Sequence, residues 1–162
     1  MTAVAAAATF YTVVPSPIGN LLLTSDGEAL TGLHMDTADG FAIDPEWEED
    51  ATVFADAAKQ LAAYFAGELK AFDLPLALAG TPFQKRVWAE LRRIPFGETI
   101  SYLELARRVG NPKASRAVGS ANGQNPVAVI VPCHRVIARD GTLGGFGGGL
   151  DRKEWLLSHE KR

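Results

Sequence analysis

The apolar pattern of this chain changes period at Thr81, and its charge changes sign at the same point. From Thr9 onward the runs TFYTVV, NLLLTS and ALTGLHM read as strands, and Pro-Ser-Pro-Ile-Gly and Ser-Asp-Gly-Glu between them carry turn chemistry, so the opening predicts an antiparallel meander. Val53, Phe54, Ala57, Ala58, Leu61, Tyr64 and Phe65 then recur at helical spacing before Gly67, a helix that would cover one face of the sheet. The acidic stretch from Asp36 to Asp50 has no period and reads as an exposed loop, while AFDLPLAL offers a further strand. Ala79-Gly80-Thr81 reads as a linker, which divides the chain into units of residues 1–79 and 80–162. The expected class is α/β, a small sheet-and-helix unit followed by a mainly helical one.

Beyond the linker the signals are helical. Thr81 caps a helix with Pro82 at its first position, and Phe83, Val87, Trp88 and Leu91 give its apolar stripe until Pro95 ends it. Ser101-Tyr102-Leu103-Glu104 has the form of a capping box, so a second helix runs from there to about Val109. Gly110-Asn111-Pro112 breaks the chain, and Lys113 to about Asn122 makes a third helix. Two short helices around a Gly-containing turn resemble a helix-turn-helix unit. Residues 1–81 hold two basic and twelve acidic side chains, residues 82–162 fourteen basic and seven acidic, so the halves carry −10 and +7 and sum to −3. Such asymmetry suits a second half that faces a polyanion, although two unequal solvated faces give the same arithmetic. No stretch approaches the roughly 18 apolar residues that span a bilayer. The opening MTAVAAAATF lacks a basic leader and reads as a tail, not a signal peptide.

The third helix reads KASRAVGSAN. A helix that reads bases in the major groove needs several side chains with bidentate reach, and here Arg116 alone has it. Small residues such as Ser115 and Ala117 allow close approach to a sugar-phosphate surface, and they equally allow tight packing against another helix.

The chemistry gathers after Asn125-Pro126, where the apolar run VAVIV reads as a strand that delivers Pro132-Cys133-His134-Arg135-Val136. Cys133 is the single cysteine of 162 residues, which excludes an internal disulfide and paired-cysteine metal or redox motifs and fits a reducing cytoplasm. A lone cysteine is ordinarily a small core hydrophobe, but His134 and Arg135 beside it are the electropositive surroundings that lower a thiol pKa. On an extended chain His134 would point away from Cys133, so the two would meet only through water or a kink. Asp151 and Glu154 suggest a capped final helix, and its last residues bring a carboxylate, Glu160, that could orient His134 as the third member of a triad. Residues 141–149 hold six glycines with Phe146 among them, but no Gly-Lys-Ser/Thr of a phosphate loop. His34, His134 and His159 lie too far apart for a metal motif, so neither metal nor cofactor is expected.

Ile130-Val131-Pro132-Cys133-His134-Arg135-Val136 resembles the active-site signature of the methylated-DNA-protein-cysteine methyltransferases, the 6-O-alkylguanine-DNA alkyltransferases. The resemblance extends over Phe83 to Trp88, Pro95-Phe96-Gly97-Glu98-Thr99, Ser101-Tyr102, Lys113 to Gly119, Asn125-Pro126, the glycine run and Lys153 to Glu160. It implies a ribonuclease H-like α/β domain over residues 1–79 and a helix-turn-helix, winged-helix-like domain over 80–162. It implies Cys133 as nucleophile, His134 as base through water, Glu160 as the carboxylate orienting it, Asn125 as the brace of this network, and Tyr102 as the residue that rotates the 3′ phosphate. Arg116 matches the finger that replaces an extruded nucleotide, with Lys113, Ser115 and Ala117 beside it on the DNA, and Val136, Phe146 and Gly147 match the base pocket. The implied activity is single-turnover, irreversible transfer of an alkyl group from 6-O-alkylguanine in double-stranded DNA to Cys133 after base flipping. 4-O-alkylthymine is a second candidate lesion. The chain would act without a membrane, as a monomer, with cooperation between copies on DNA left open. Two competing readings are a lesion-binding relative without transfer, which carries another residue at the cysteine, and a helix-turn-helix regulator of one operator. Cys133 argues against the first, and the single arginine, Arg116, among the small residues of KASRAVGSAN against the second.

Overall fold

The structure is a computed structural model that describes residues 8–144, 146 and 148–161. The reading of MTAVAAAATF as a tail falls outside the described residues over positions 1–7, as does that of Gly147 as a pocket residue, while Phe10 already belongs to a strand. Strands β1 (Phe10–Val14), β2 (Leu21–Ser25) and β3 (Leu30–Met35) form the expected antiparallel meander, with Tyr11 opposite Thr24 and Leu23 opposite Leu33. The acidic stretch is not entirely loop: Glu48–Glu49, strand β4, pairs parallel to β1 and completes a sheet of order β3-β2-β1-β4. Helix α1 (Ala55–Phe65) follows a short 3₁₀ turn capped by Asp50, and buries Ala57, Leu61 and Tyr64. Gly67 ends it at φ +81°, a conformation that favours glycine. AFDLPLAL does not become a strand. It contributes a single bridge between Leu76 and Leu30, with Leu30 N–H donating to Pro75 O at 2.9 Å and Ala77 N–H to Leu30 O at 2.8 Å, because Pro75 has no N–H to extend a ladder.

Helix α2 (Pro82–Leu91) starts with a complete capping box between Thr81 and Gln84. The two-residue strand β5 (Ile100–Ser101) leads into α3 (Tyr102–Arg108), where the Ser101 hydroxyl accepts from Glu104 N–H at 3.0 Å while the Glu104 carboxylate turns to Arg108. Helix α4 (Ser115–Gly123) begins two residues later than expected, which leaves Lys113 in the turn before it. Strand β6 (Val136–Ile137) pairs parallel to β5, Ile100 opposite Val136, and ties the segment after Cys133 to the start of α3. Helix α5 (Leu150–Glu160) has Gly149 at its cap with no side-chain bond, so the expected acidic cap is absent.

One continuous core joins the sheet unit to the helical unit: Leu21, Leu33, Phe54 and Tyr64 pack into the same cluster as Trp88, Leu105, Val118 and Leu156. Trp88 crosses from α2 to α4, its indole N–H donating to Ala121 O at 2.8 Å. The small residues of α4 split between the two uses open to them. Val118 and Ala121 are buried against α2 and α3, while Arg116, Ala117 and Ser120 face outward, fully or in part. No helix among the described residues is long and apolar enough to cross a membrane.

Candidate active site

The run VAVIV is not a strand. Val129 adopts φ +71°, unusual for a β-branched residue, and tight turns follow: Ile130 N–H donates to Ala128 O and Cys133 N–H to Val131 O, both at 2.8 Å. Asn125 holds this coil from the end of α4, its amide donating to Val131 O at 2.7 Å and its carbonyl accepting from Val127 N–H at 3.0 Å. Asn122 reaches further and donates to Cys133 O at 3.3 Å. Cys133–Arg135 then form a single 3₁₀ turn, so consecutive side chains fan out about 120° apart, and do not alternate as on a strand.

That fan sends Cys133 one way and its two neighbours the other. Cys133, with Asn122, Asn125, Ala128, Phe146, Gly148, Gly149 and Arg152, lines a cavity of about 460 Å³ whose far wall is the end of β3 and the residues after it, from Leu33 to Thr37. This volume lies within the range of small-ligand sites. His134 and Arg135 converge on Glu160 at the last turn of α5. His134 Nε2 lies 2.7 Å from Glu160 Oε2, and Arg135 donates from Nε at 2.7 Å and from Nη2 at 3.0 Å. Tyr64 of α1 adds its hydroxyl at 2.5 Å, and Arg135 Nη1 also donates to Ile94 O at 2.6 Å. The whole cluster is buried, Glu160 at 3% and His134 at 0% exposure.

The electrostatics follow from this burial. Desolvation would raise the Glu160 pKa, but the hydrogen bonds from His134, Arg135 and Tyr64 outweigh it and hold the carboxyl well below the usual range. His134 is pushed down by burial against the pull of Glu160, which favours the neutral ring. With Nε2–H donating to an ionised carboxylate, the lone pair falls on Nδ1, a buried nitrogen with no hydrogen-bond partner among the described residues. Buried polar atoms are rarely left so, and a catalytic role is one explanation for such an atom. Burial also raises the Cys133 thiol, against smaller lowering effects from Asn125 and Lys153. The sequence expectation that Arg135 would lower this pKa is therefore corrected: its guanidinium is committed to Glu160, on the other side of the 3₁₀ turn.

Sequence reasoning misses Lys153, which is fully buried in α5, donates to Val136 O at 2.7 Å and acts electrostatically on Cys133. A lysine two residues after Asp151 reads as a solvated helix residue, and only the packing of α5 on the 3₁₀ turn turns it inward. On sequence alone Tyr64 reads as core and Arg135 as a neighbour of the thiol, whereas both serve Glu160. The other expected site residues do not all share the cavity with Cys133. Val136 is fully buried and is not among the cavity-lining residues, unlike Phe146. Tyr102 stands at the start of α3 against Gly119 and Gly144, and Ser115, Arg116 and Ala117 stand on the first turn of α4.

Two family models match the chain: the DNA binding domain of 6-O-methylguanine DNA methyltransferase over residues 82–162, and the ribonuclease-like domain of the same family over residues 9–78. A methylated-DNA–protein-cysteine methyltransferase of Methanosarcina acetivorans is 52% identical over 152 residues, which span 93% of this chain and 97% of that protein. The protein of the same name from Mycolicibacterium paratuberculosis is 53% identical over 152 residues, 94% of this chain and 92% of that one. The crystal structure of Mycobacterium tuberculosis OGT in complex with DNA superposes with a TM-score of 0.88 at 52% identity, covering 94% of this chain and 92% of the other.

Proposed function

Because the chain belongs to the methylated-DNA–protein-cysteine methyltransferase family, its reaction requires a cysteine of its own as acceptor, and we propose that Cys133 is that acceptor and the His134–Glu160 pair its proton relay. The protein is a DNA repair methyltransferase that acts by direct reversal, taking the alkyl group from 6-O-alkylguanine in DNA. The observation that carries the assignment is the placement of the one cysteine of the chain on a cavity of about 460 Å³, next in sequence to a buried imidazole whose Nδ1 lone pair is unused.

The Cys133 thiol passes its proton, through a water molecule, to His134 Nδ1, while Glu160 stabilises the imidazolium that forms. The sulfur attacks the methyl carbon in line with the carbon–oxygen bond, a new carbon–sulfur bond forms, and the electron pair of the broken bond goes to the guanine oxygen. The proton held by His134 returns to the guanine, which leaves neutral and intact. Burial raises the Cys133 pKa and so disfavours the thiolate, which is why a base is needed to take the thiol proton as the sulfur attacks. The carbon–sulfur bond of the resulting thioether is not broken by water, so each molecule reacts once. Asn125 braces the turn that carries the sulfur, and Phe146 lines the pocket that takes the flipped base. With 6-O-methylguanine duplex in excess, transfer is expected to stop at one methyl per protein; continued turnover would contradict this mechanism.

The cavity admits a base only if the nucleotide leaves the stack. We assign that work to the outward face of α4, where Ser115, Ala117 and Ser120 allow close approach to the backbone and Arg116 enters the gap. Lys113 in the preceding turn and Tyr102 at the start of α3 contact the flanking phosphates. Unstacking costs a few kcal/mol, so Arg116→Ala is expected to slow reaction with duplex DNA by roughly tenfold or more while leaving reaction with free 6-O-methylguanine base unchanged. Equal slowing on both substrates would remove Arg116 from this role. A monomer supplies every group named here, with the unit boundary at residues 79 and 80, and the need to keep Cys133 reduced favours the cytoplasm as its compartment.

A further inference from the structure

We propose that Arg152 is a positioning residue that sets the width of the alkyl pocket by fastening its two walls to each other; the proposal rests on Cys133 as acceptor. The pocket is built between the end of β3 with the residues after it, Leu33 to Thr37, and the glycine segment that carries Phe146, Gly148 and Gly149. These walls come from residues more than a hundred positions apart. Arg152, on the first turn of α5, bonds to both. Its Nε donates to Ile18 O at 2.9 Å, and its Nη1 to Asp36 O at 2.7 Å and, more weakly, to Gly148 O at 3.4 Å. Its Nη2 meets the Asp36 carboxylate in an ion pair. One planar guanidinium therefore joins the β1–β2 turn, the end of β3 and the glycine segment, with all three of its nitrogens in use.

Two glycines give this fastening its room. Gly19 has φ +106°, and a Cβ there would stand 2.9 Å from the Asp36 carboxylate and 3.1 Å from the Arg152 guanidinium. A Cβ at Gly148 would strike the Met35 thioether and the Phe146 ring, so the chain at Gly148 packs directly on the Met35 side chain at the end of β3. The pair is only partly exposed, 23% for the Arg152 side chain and 30% for Asp36, so it is less screened than a free surface pair. Arg152 touches neither Cys133 nor the His134–Glu160 cluster by any hydrogen bond or ion pair. Its effect is on the separation of the walls, and that separation decides which substituent fits beside the sulfur.

The test compares second-order rate constants for the free bases 6-O-methylguanine and 6-O-benzylguanine in the wild-type protein, Arg152→Met, Arg152→Lys and Asp36→Asn, with thermal unfolding measured for each. Arg152→Met keeps the aliphatic stem and removes every donor, so the benzyl-to-methyl ratio is expected to rise about tenfold. Arg152→Lys replaces the planar fork by one compact ammonium that cannot reach all four acceptors and is expected to fall between, as is Asp36→Asn, which removes the counter-charge but keeps an acceptor and the main-chain bonds. A merely structural role lowers both rates together and leaves the ratio unchanged, which would overturn the proposal. If Arg152→Met does not fold, the Arg152→Lys ratio decides the question: a value equal to wild type overturns it. Transfer that persists in Cys133→Ser would instead defeat the acceptor assignment, a separate result.

Discussion

Glu160→Ala is expected to lower stability by about 3–5 kcal/mol at pH 7 and to abolish methyl transfer, because it leaves the Arg135 guanidinium buried without its counter-charge. Four hydrogen bonds end on this carboxylate, from the Tyr64 hydroxyl, His134 Nε2 and two Arg135 nitrogens, and all three donor residues are buried. The sign of the pH dependence follows from the lowered pKa. The folded state keeps Glu160 ionised at a pH where an unfolded glutamate, near 4.3, already binds a proton. The contribution is therefore complete above about pH 4.3 and is lost as the pH falls below it. Urea denaturation of wild type should show a steep acid limb that is shallower in Glu160→Gln. An acid limb of equal slope in both proteins would mean that the cluster does not hold the carboxylate as described.

Cys133→Ser is expected to eliminate transfer altogether while preserving the fold and the affinity for lesion-bearing duplex. Serine is close to cysteine in size, the side chain sits at the cavity edge with 6% exposure, and the hydroxyl has too high a pKa for His134 to ionise it as it does a thiol. No second thiol exists to take over, since the chain has one cysteine. Retention of DNA binding, read by the mobility of a labelled duplex, separates loss of chemistry from loss of structure. Residual transfer in the serine variant would place the acceptor elsewhere.

Much of this is legible in the sequence. Apolar runs between Gly and Pro turns specify the β1–β3 meander, and Thr81-Pro82 specifies the start of α2, because these signals are local. The run VAVIV misleads for a physical reason. β-branched residues favour strands only when a neighbour offers a ladder, and here β3 offers a single bridge, Leu33 to Val127, before the chain bends through Val129 and Asn125 holds Val131 O. That bend changes the site. On a strand His134 would oppose Cys133, whereas on the 3₁₀ turn His134 and Arg135 both reach Glu160 and the thiol keeps the cavity to itself. The cavity's far wall on β3, the buried Lys153 and the part of Tyr64 depend on contacts between distant segments, which no spacing along the chain encodes.

The most direct measurement is mass spectrometry of the tryptic peptides after one equivalent of duplex DNA carrying isotopically labelled 6-O-methylguanine has reacted. One labelled methyl is expected on the peptide that contains Cys133, with fragmentation that places it on the sulfur and with unmodified guanine in the product DNA. Folded protein that leaves the lesion intact, or a label found on any other residue, would contradict Cys133 as the acceptor.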